Sequence, residues 1–143
     1  MTMGTISKNF SYFEFEDSVK AKENNIENKI PGPEIKEHIK ALVLNVLQPL
    51  RDAWGKPLSL NSGYRCAELN KLVGGKPTSQ HRKGEAADVR TESPYQLACL
   101  ARNLRLPYDQ MILYPTFVHF SHKLNGEQRG EILYDETYKG KKL

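Results

Sequence analysis

A regular hydrophobic stripe runs through the segment between Pro33 and Trp54. Apolar residues recur there every three or four positions, which predicts one amphipathic helix with a buried face; they are Ile35, Ile39, Leu42, Val43, Val46, Leu47 and Leu50. Pro33 suits the first turn of such a helix, because a residue there needs no backbone N–H. Pro49 is expected to bend the helix or end it, and Gly55 follows as a stop signal.

The residues before this helix are rich in aromatic side chains. Four of them lie close together near the N-terminus: Phe10, Tyr12, Phe13 and Phe15. This cluster predicts an arm or short helix that packs its rings onto the core. We therefore assign residues 1–32 to an N-terminal arm.

The rest of the chain alternates short helices with short strands. Helices are predicted in CAELNKLVGG and over residues 93–105, and strands in KPLSLNSGYR, EAADVR, DQMILY, FVHFSH and GEILY. Mostly antiparallel strands with helices grouped on one side make an α+β fold, so we expect a single such domain over residues 1–143. The basic end, residues 135–143, is expected to be a flexible tail.

Composition narrows the class of protein. A chain of 143 residues with 38% hydrophobic and 27% charged positions is typical of one globular domain. No apolar run approaches the ~20 residues that cross a bilayer, so membrane insertion is not expected. The N-terminal sequence has acidic residues where a signal peptide would be apolar, so we expect a cytoplasmic protein until its release or export. Two cysteines, Cys66 and Cys99, favour a reducing compartment.

The net charge of +4 is a mild bias. It is compatible with an anionic polymer as partner, but a solvated basic surface explains it equally well. Aromatic and basic residues do not alternate as they do in RNA-binding modules, so a nucleic-acid partner is not expected.

The candidate chemistry lies in the stretch SQHRKGEAADV. Zinc binds neutral imidazole and carboxylate, and His81 and Asp88 could supply one of each. The third ligand is expected from FVHFSH, where strand alternation favours His119 and turns His122 toward the surface. By itself, the spacing is explained equally well by a polar turn before a strand, with His119 as a core histidine. His38 falls on the polar side of the long helix and is assigned to the surface.

The same stretch resembles a known family. Its residues reproduce the pattern S-x-H-x-x-G-x-A-x-D of the zinc D-Ala-D-Ala carboxypeptidases, through Ser79, His81, Gly84, Ala86 and Asp88. That family includes dipeptidases and phage endolysins and shares its fold with the hedgehog signalling domain. LNSGYRCAELN and DQMILYPTFVHFSH are similar to two further family segments, so the resemblance covers roughly residues 33–134.

The resemblance implies a set of site residues. His81, Asp88 and His119 match the zinc ligands. Arg65 matches an arginine that binds the substrate carbonyl and stabilises its developing negative charge, a role that suits a guanidinium. Ser79 matches a hydroxyl near the substrate, although a loop-stabilising role explains it equally well.

One expected residue is missing. Many family members carry Glu or Asp three residues before the last histidine as general base, and that position is Thr116 here. Compact relatives often carry a Glu shortly before the last strand, where this chain has Tyr114. Asp109 is the nearest carboxylate in the sequence and is our candidate for the base.

These observations favour a zinc-dependent peptidoglycan peptidase. It would cleave a stem peptide or another D-amino-acid-containing peptide by a metal-activated water, as a carboxypeptidase or as an endolysin, and act at the cell wall as a monomer. An alternative function of a different class is that of a non-catalytic zinc-containing module. Such a module has lost the general base and binds wall peptides or a protein without cleaving them. A small basic protein without a metal is the simplest remaining reading.

Overall fold

A computed structural model describes residues 4–143. The chain begins with a hairpin of β1 (Thr5–Ser7) and β2 (Phe10–Ser11), followed by the short helices α1 (Tyr12–Glu16) and α2 (Val19–Glu23). Phe10 and Phe15 are buried in the common hydrophobic core. These two aromatic rings thus pack the N-terminal segment onto the domain.

One long helical rod follows, in three parts. These are α3 (Pro33–Leu42), a π-helical turn (Val43–Leu47) and α4 (Gln48–Trp54). The apolar stripe is fully buried from Ile39 to Leu50. Gly55 ends the rod in a left-handed conformation with φ of 77°.

Pro49 does not end this rod, although that was one of the two outcomes that we expected. A proline inside a helix lacks an N–H and crowds the carbonyl of the preceding turn. Here Pro49 lies in the first turn of α4, directly after the wider π turn. The π turn moves the hydrogen-bond pattern by one residue just before the proline, so the rod continues.

The central sheet has five strands in the order β3-β4-β6-β5-β7. They are β3 (Ser59–Ser62), β4 (Ala86–Arg90), β5 (Gln110–Leu113), β6 (Phe117–Ser121) and β7 (Glu131–Tyr134). Neighbouring strands are antiparallel except β5 and β7, which are parallel. The connections contain α5 (Ala67–Leu72), a 3-10 helix (Gln80–Lys83) and α6 (Pro94–Asn103).

The two faces of the sheet differ in chemistry. One face belongs to the same hydrophobic core as the long rod and α6, through Ala87, Val89, Met111, Leu113, Val118 and Phe120. Alternation along the strands puts Asp88, Ile112 and His119 on the opposite face. The predicted α+β class, with helices against one side of the sheet, is confirmed.

The C-terminal residues differ from the flexible tail that we expected. Tyr138 is buried, and its ring lies 5.6 Å from that of Tyr134. The ammonium groups of Lys141 and Lys142 lie 5.1 Å from the ring centres of Tyr95 and Tyr134. Lysine stems pack well on aromatic faces, so a basic sequence can be held against the domain.

Within residues 4–143, no helix has both the length and the apolar character that crossing a membrane requires.

Candidate metal centre

Three side chains from three separate elements meet on the polar face of the sheet. They are His81 of the 3-10 helix, Asp88 of β4 and His119 of β6. One ligand atom from each lies within 4.8 Å of the other two. Asp88 and His119 are direct partners in the β4–β6 register, so the sheet itself sets their spacing.

The turn before β4 is shaped to present His81. The Ser79 hydroxyl accepts a hydrogen bond from the His81 N–H at 3.2 Å and caps the 3-10 helix. Gly84 ends that helix with φ of 75°, a conformation that glycine adopts without strain. A Cβ at Gly84 would also lie 2.9 Å from side-chain atoms of Ile35 and Ile39. The serine and the glycine of the sequence pattern therefore serve the geometry of the turn.

The hydrogen bond on the far side of the His81 ring decides which nitrogen faces Asp88. Nδ1 lies 2.7 Å from the carbonyl oxygen of Gly63, and it must donate because a carbonyl only accepts. Burial lowers the pKa of His81, although Asp88 opposes this effect, so the ring favours its neutral form. Nε2 then has a free lone pair, 3.2 Å from Asp88 Oδ1.

His81 Nε2 and Asp88 Oδ1 are then both acceptors, and two acceptors 3.2 Å apart repel each other unless a cation or a proton lies between them. A histidine whose second nitrogen donates to a backbone carbonyl is the usual arrangement at protein metal sites. Two imidazoles and one carboxylate are also ligand types that zinc prefers. The donor set of this site therefore fits zinc.

Asp88 is an ionised carboxylate at the centre of the cluster. Its Oδ1 lies 3.2 Å from His81 Nε2 and 2.9 Å from His119 Nδ1, and its Oδ2 lies 3.5 Å from Arg65. Burial by itself would raise the pKa of Asp88, but the neighbouring imidazoles of His81 and His119 outweigh it and lower the pKa well below its ordinary value. An anionic oxygen is thus ready for a cation at neutral pH.

Arg65 is fixed beside this cluster by neighbours on both sides. Its Nε donates to Ser62 Oγ at 3.0 Å, and Nη1 donates to Asn70 Oδ1 at 3.4 Å. Burial lowers the pKa of Arg65, with the negative charge of Asp88 acting in the opposite direction. A guanidinium held in this way can bind an oxygen atom without first being ordered.

The cluster opens into a cavity of about 630 Å³. Besides the three candidate ligands and Arg65, its wall contains polar side chains, one aliphatic residue and one tyrosine: Lys76, Thr78, Ser79, Gln80, Gln110, Arg129, Ile112 and Tyr114. A volume of this size accommodates a short peptide segment.

Comparison with known proteins decides the family. The family model described as Peptidase M15 matches residues 8–122. The chain belongs to the peptidase M15 family. The predicted family is thereby confirmed, and the site contains a group of side chains that could hold a metal ion.

One curated relative shows how far the similarity extends. The zinc D-Ala-D-Ala carboxypeptidase of Streptomyces albus G is 43% identical to this chain over 60 residues. The matched part makes up 40% of this chain and 24% of the relative, so this M15 chain spans about a quarter of the length of that protein.

Asp109 does not occupy the position of a general base in this M15 site. It is fully buried and lies outside the cavity wall, and its carboxylate accepts hydrogen bonds from Arg129 and Gln80 at 2.7 to 3.2 Å. Burial would raise the pKa of Asp109, but the hydrogen bonds and charge of Arg129 and the charge of Lys123 lower it to about 2. A base needs an accessible lone pair and a pKa closer to the working pH. This placement argues against our candidate and favours a structural role.

His122 is a second correction. We expected a surface residue, but it is only 7% exposed, and its Nδ1 lies 2.6 Å from the Pro107 carbonyl oxygen. The His122 N–H donates to the Glu85 carbonyl at 2.9 Å, so pairing with β4 continues past Ser121, and alternation turns His122 to the side of Phe120, which lies in the core. His38 is partly exposed and lies outside the cavity wall, and its Nδ1 lies 2.8 Å from the Lys83 carbonyl oxygen.

Sequence reasoning missed several cavity residues. Gln110 and Ile112 are two positions apart on β5 and therefore share a face of the sheet. The rule of alternation that selected His119 could thus also have indicated Gln110. No local pattern points to Gln80 or Arg129. Gln80 begins the 3-10 helix and Arg129 lies in the irregular segment before β7, and both are hydrogen-bonded to the buried Asp109.

Proposed function

We propose that this protein is a zinc-dependent peptidoglycan peptidase that hydrolyses a peptide bond next to a D-amino acid. The observation that carries the proposal is the meeting of His81, Asp88 and His119 within 4.8 Å, beside a fixed Arg65, in a cavity that admits a peptide. The relative named as a zinc D-Ala-D-Ala carboxypeptidase supports this choice of substrate class.

Each side chain has a distinct task in this proposal. His81, Asp88 and His119 would hold the zinc ion, through Nε2, a carboxylate oxygen and Nδ1 respectively. When bound, zinc supplies Lewis acidity, which polarises a carbonyl and makes water a stronger nucleophile near neutral pH. The Gly63 carbonyl fixes the His81 ring through the 2.7 Å hydrogen bond, and the β4–β6 ladder fixes the other two ligands.

Arg65 and Ser79 would act on the substrate. The Arg65 guanidinium lies at the cavity wall and can donate to the carbonyl oxygen of the scissile bond as negative charge develops there. Ser79 keeps its hydroxyl hydrogen available for a substrate carbonyl, because its oxygen already accepts from the His81 N–H. For Asp109 we propose a positioning role, since its carboxylate holds Gln80 and Arg129 at the cavity.

Metal content and hydrolysis together test this proposal. Protein grown with zinc is expected to contain about one zinc per chain and to release free amines from purified peptidoglycan or from a D-Ala-D-Ala peptide, as measured by mass spectrometry. His81→Ala is expected to lose both the metal and the activity. His38→Ala is the matched control, because His38 is partly exposed and lies outside the cavity wall. Metal-free protein after zinc supplementation would refute the proposal.

A second function is favoured by one specific observation. Asp88 is the one carboxylate among the described residues that line the cavity, and it is a candidate metal ligand. No second carboxylate is therefore positioned to take a proton, and the loss of a general base typically costs ~10²–10⁴ in rate. A zinc-containing module that binds wall peptides would retain zinc and sediment with peptidoglycan, but it would release no amines.

We further propose that the protein acts on the wall as a monomer after its release or export from the cytoplasm. Its stem-peptide substrate lies outside the cell membrane, so action there requires lysis or a route of export. Light scattering in solution tests the oligomeric state, and a mass near 16.3 kDa is the expected result.

A further inference from the structure

Tyr114 lies on the same face of the sheet as the candidate metal ligands. Ile112 of β5 is the register partner of His119, and Tyr114 is two positions further along the same alternation. The Tyr114 N–H donates to the Phe117 carbonyl at 3.0 Å, so the chain continues opposite β6 up to this residue. Tyr114 therefore lies opposite Phe117, diagonally across the sheet from His119, and its side chain lines the cavity.

The ring of Tyr114 is held in place while its hydroxyl remains available. The ring stacks on Phe117 with 4.2 Å between centroids and 13° between planes. The Tyr114 side chain lines the same cavity as Arg65 and Asp88. The Tyr114 hydroxyl has no hydrogen-bond partner among the described residues. Arg65 and Ser79, which line the same cavity, already form hydrogen bonds with Ser62 and His81.

The surroundings favour the protonated form of this phenol. Burial raises the pKa of Tyr114, and the negative charges of Asp88 and Asp135 raise it further, with Arg65 acting in the opposite direction. A phenol has an ordinary pKa of ~10 and is protonated at neutral pH, so the Tyr114 hydroxyl is a hydrogen-bond donor. A general base in this position would have to be deprotonated, so the phenol does not fit that role.

We propose that the Tyr114 hydroxyl donates a hydrogen bond to the carbonyl oxygen of the scissile bond, opposite the guanidinium of Arg65. The two donors approach the region of Asp88 from different strands, Arg65 from the end of β3 and Tyr114 from the end of β5. No proton is transferred in this step, and the hydrogen bond strengthens as the oxygen gains negative charge. This inference rests on the proposed peptidase function.

Tyr114→Phe is the direct test, because it removes one oxygen atom and keeps the stacking on Phe117. In the zinc-loaded protein, kcat toward a D-Ala-D-Ala peptide is expected to fall by ~10²-fold with little change in KM, as for the loss of one oxyanion donor. Zinc content and thermal midpoint should not change. Tyr95→Phe is the matched control, since Tyr95 lies outside this cavity. An unchanged kcat in Tyr114→Phe would overturn the inference.

A binding measurement separates this inference from the proposed function. A phosphinate analogue of D-Ala-D-Ala carries tetrahedral oxygens, and Tyr114→Phe is expected to weaken its binding by a similar ~10²-fold in calorimetry. If wild type and Tyr114→Phe hydrolyse the peptide and bind the analogue equally well, only the proposed role of Tyr114 is overturned. If the wild-type protein binds the analogue but does not hydrolyse the peptide, the proposed peptidase activity is overturned. The ratio of analogue affinities between wild type and Tyr114→Phe would then still show whether the Tyr114 hydroxyl contributes to binding. A wild-type protein that neither hydrolyses the peptide nor binds the analogue would overturn both.

Discussion

At the scale of single residues, Gly63 connects the N-terminal arm to the metal centre. Its carbonyl oxygen orients His81, and its Cα faces the arm so closely that a Cβ would lie 2.7 Å from the Phe15 backbone. The next N–H, of Tyr64, donates to the Phe15 carbonyl at 2.8 Å. Glycine is required here for the close approach of two backbones, and the orientation of His81 depends on that approach.

Gly63→Ala is therefore expected to weaken zinc binding without touching a metal ligand. The added methyl group must push β3 and α1 apart, which moves the carbonyl that fixes the His81 ring. Loss of such a supporting hydrogen bond typically costs 10- to 100-fold in metal affinity, so we expect about that change. Competition with a chromogenic chelator measures it. Gly32→Ala, where nothing lies within 4 Å of the added Cβ, should leave the affinity unchanged.

At the scale of elements, Asp109 joins three parts of the chain that are distant in sequence. It precedes β5, its carboxylate holds Gln80 of the 3-10 helix, and it accepts from both the backbone and the guanidinium of Arg129. Its own backbone pairs with Ser121 and Glu131, at the ends of β6 and β7. The carboxylate thus fixes the segment before β7 against the wall of the cavity.

This connection predicts a pH dependence of stability. The pKa of Asp109 in the folded protein is about 2, below the ~3.9 of a free aspartate. Ionised Asp109 therefore stabilises the fold above that ordinary value, and the contribution is lost as the pH falls toward the folded pKa. Asp109→Asn is expected to lower the free energy of unfolding at pH 7 by about 2 kcal/mol and to flatten its decline between about pH 5 and 2. Urea unfolding at several pH values measures both effects.

Asp17→Asn is the matched control for this prediction. Asp17 forms an ion pair with Lys22, and both side chains are exposed, so its removal should change stability little. If Asp109→Asn had no larger effect than Asp17→Asn, the three-way connection would not contribute to stability.

At the scale of the whole molecule, both ends of the described chain are packed against the domain by aromatic side chains. Phe10 and Phe15 enter the core from the N-terminal side, and Tyr138 enters it from the C-terminal side. The metal centre lies on the other face of the sheet from this core, so the two ends should affect it differently. The arm contacts Gly63 and through it His81, whereas Tyr138 contacts Tyr134.

Tyr138→Ala is expected to destabilise the domain and to leave the metal centre intact. Removal of a buried aromatic ring typically costs ~3 kcal/mol or more, because a cavity remains. Thermal unfolding measures the loss, and zinc stoichiometry should stay at the wild-type value. Lys139→Ala is the control, since Lys139 is exposed. A Tyr138→Ala variant as stable as the control would indicate that these residues are a free tail, as the sequence alone predicted.

The sequence by itself determined the elements that repeat a simple period. The long rod follows from its apolar stripe, and the strands follow from alternation, which also turns Asp88 and His119 to one face. The family pattern identified His81, Asp88 and His119 before their meeting was visible. These features are local, because the positions of neighbouring side chains along a helix or strand are set by backbone geometry.

Only the tertiary structure decided what depends on contacts between distant segments. The burial of Asp109, the packing of Tyr138 and the continuation of the rod past Pro49 have no periodic signal in the sequence. The availability of the Tyr114 hydroxyl also depends on which side chains surround the cavity. Charge and hydrogen-bond partners are set by neighbours in space, so the chemical role of a polar residue is fixed only when the chain has folded.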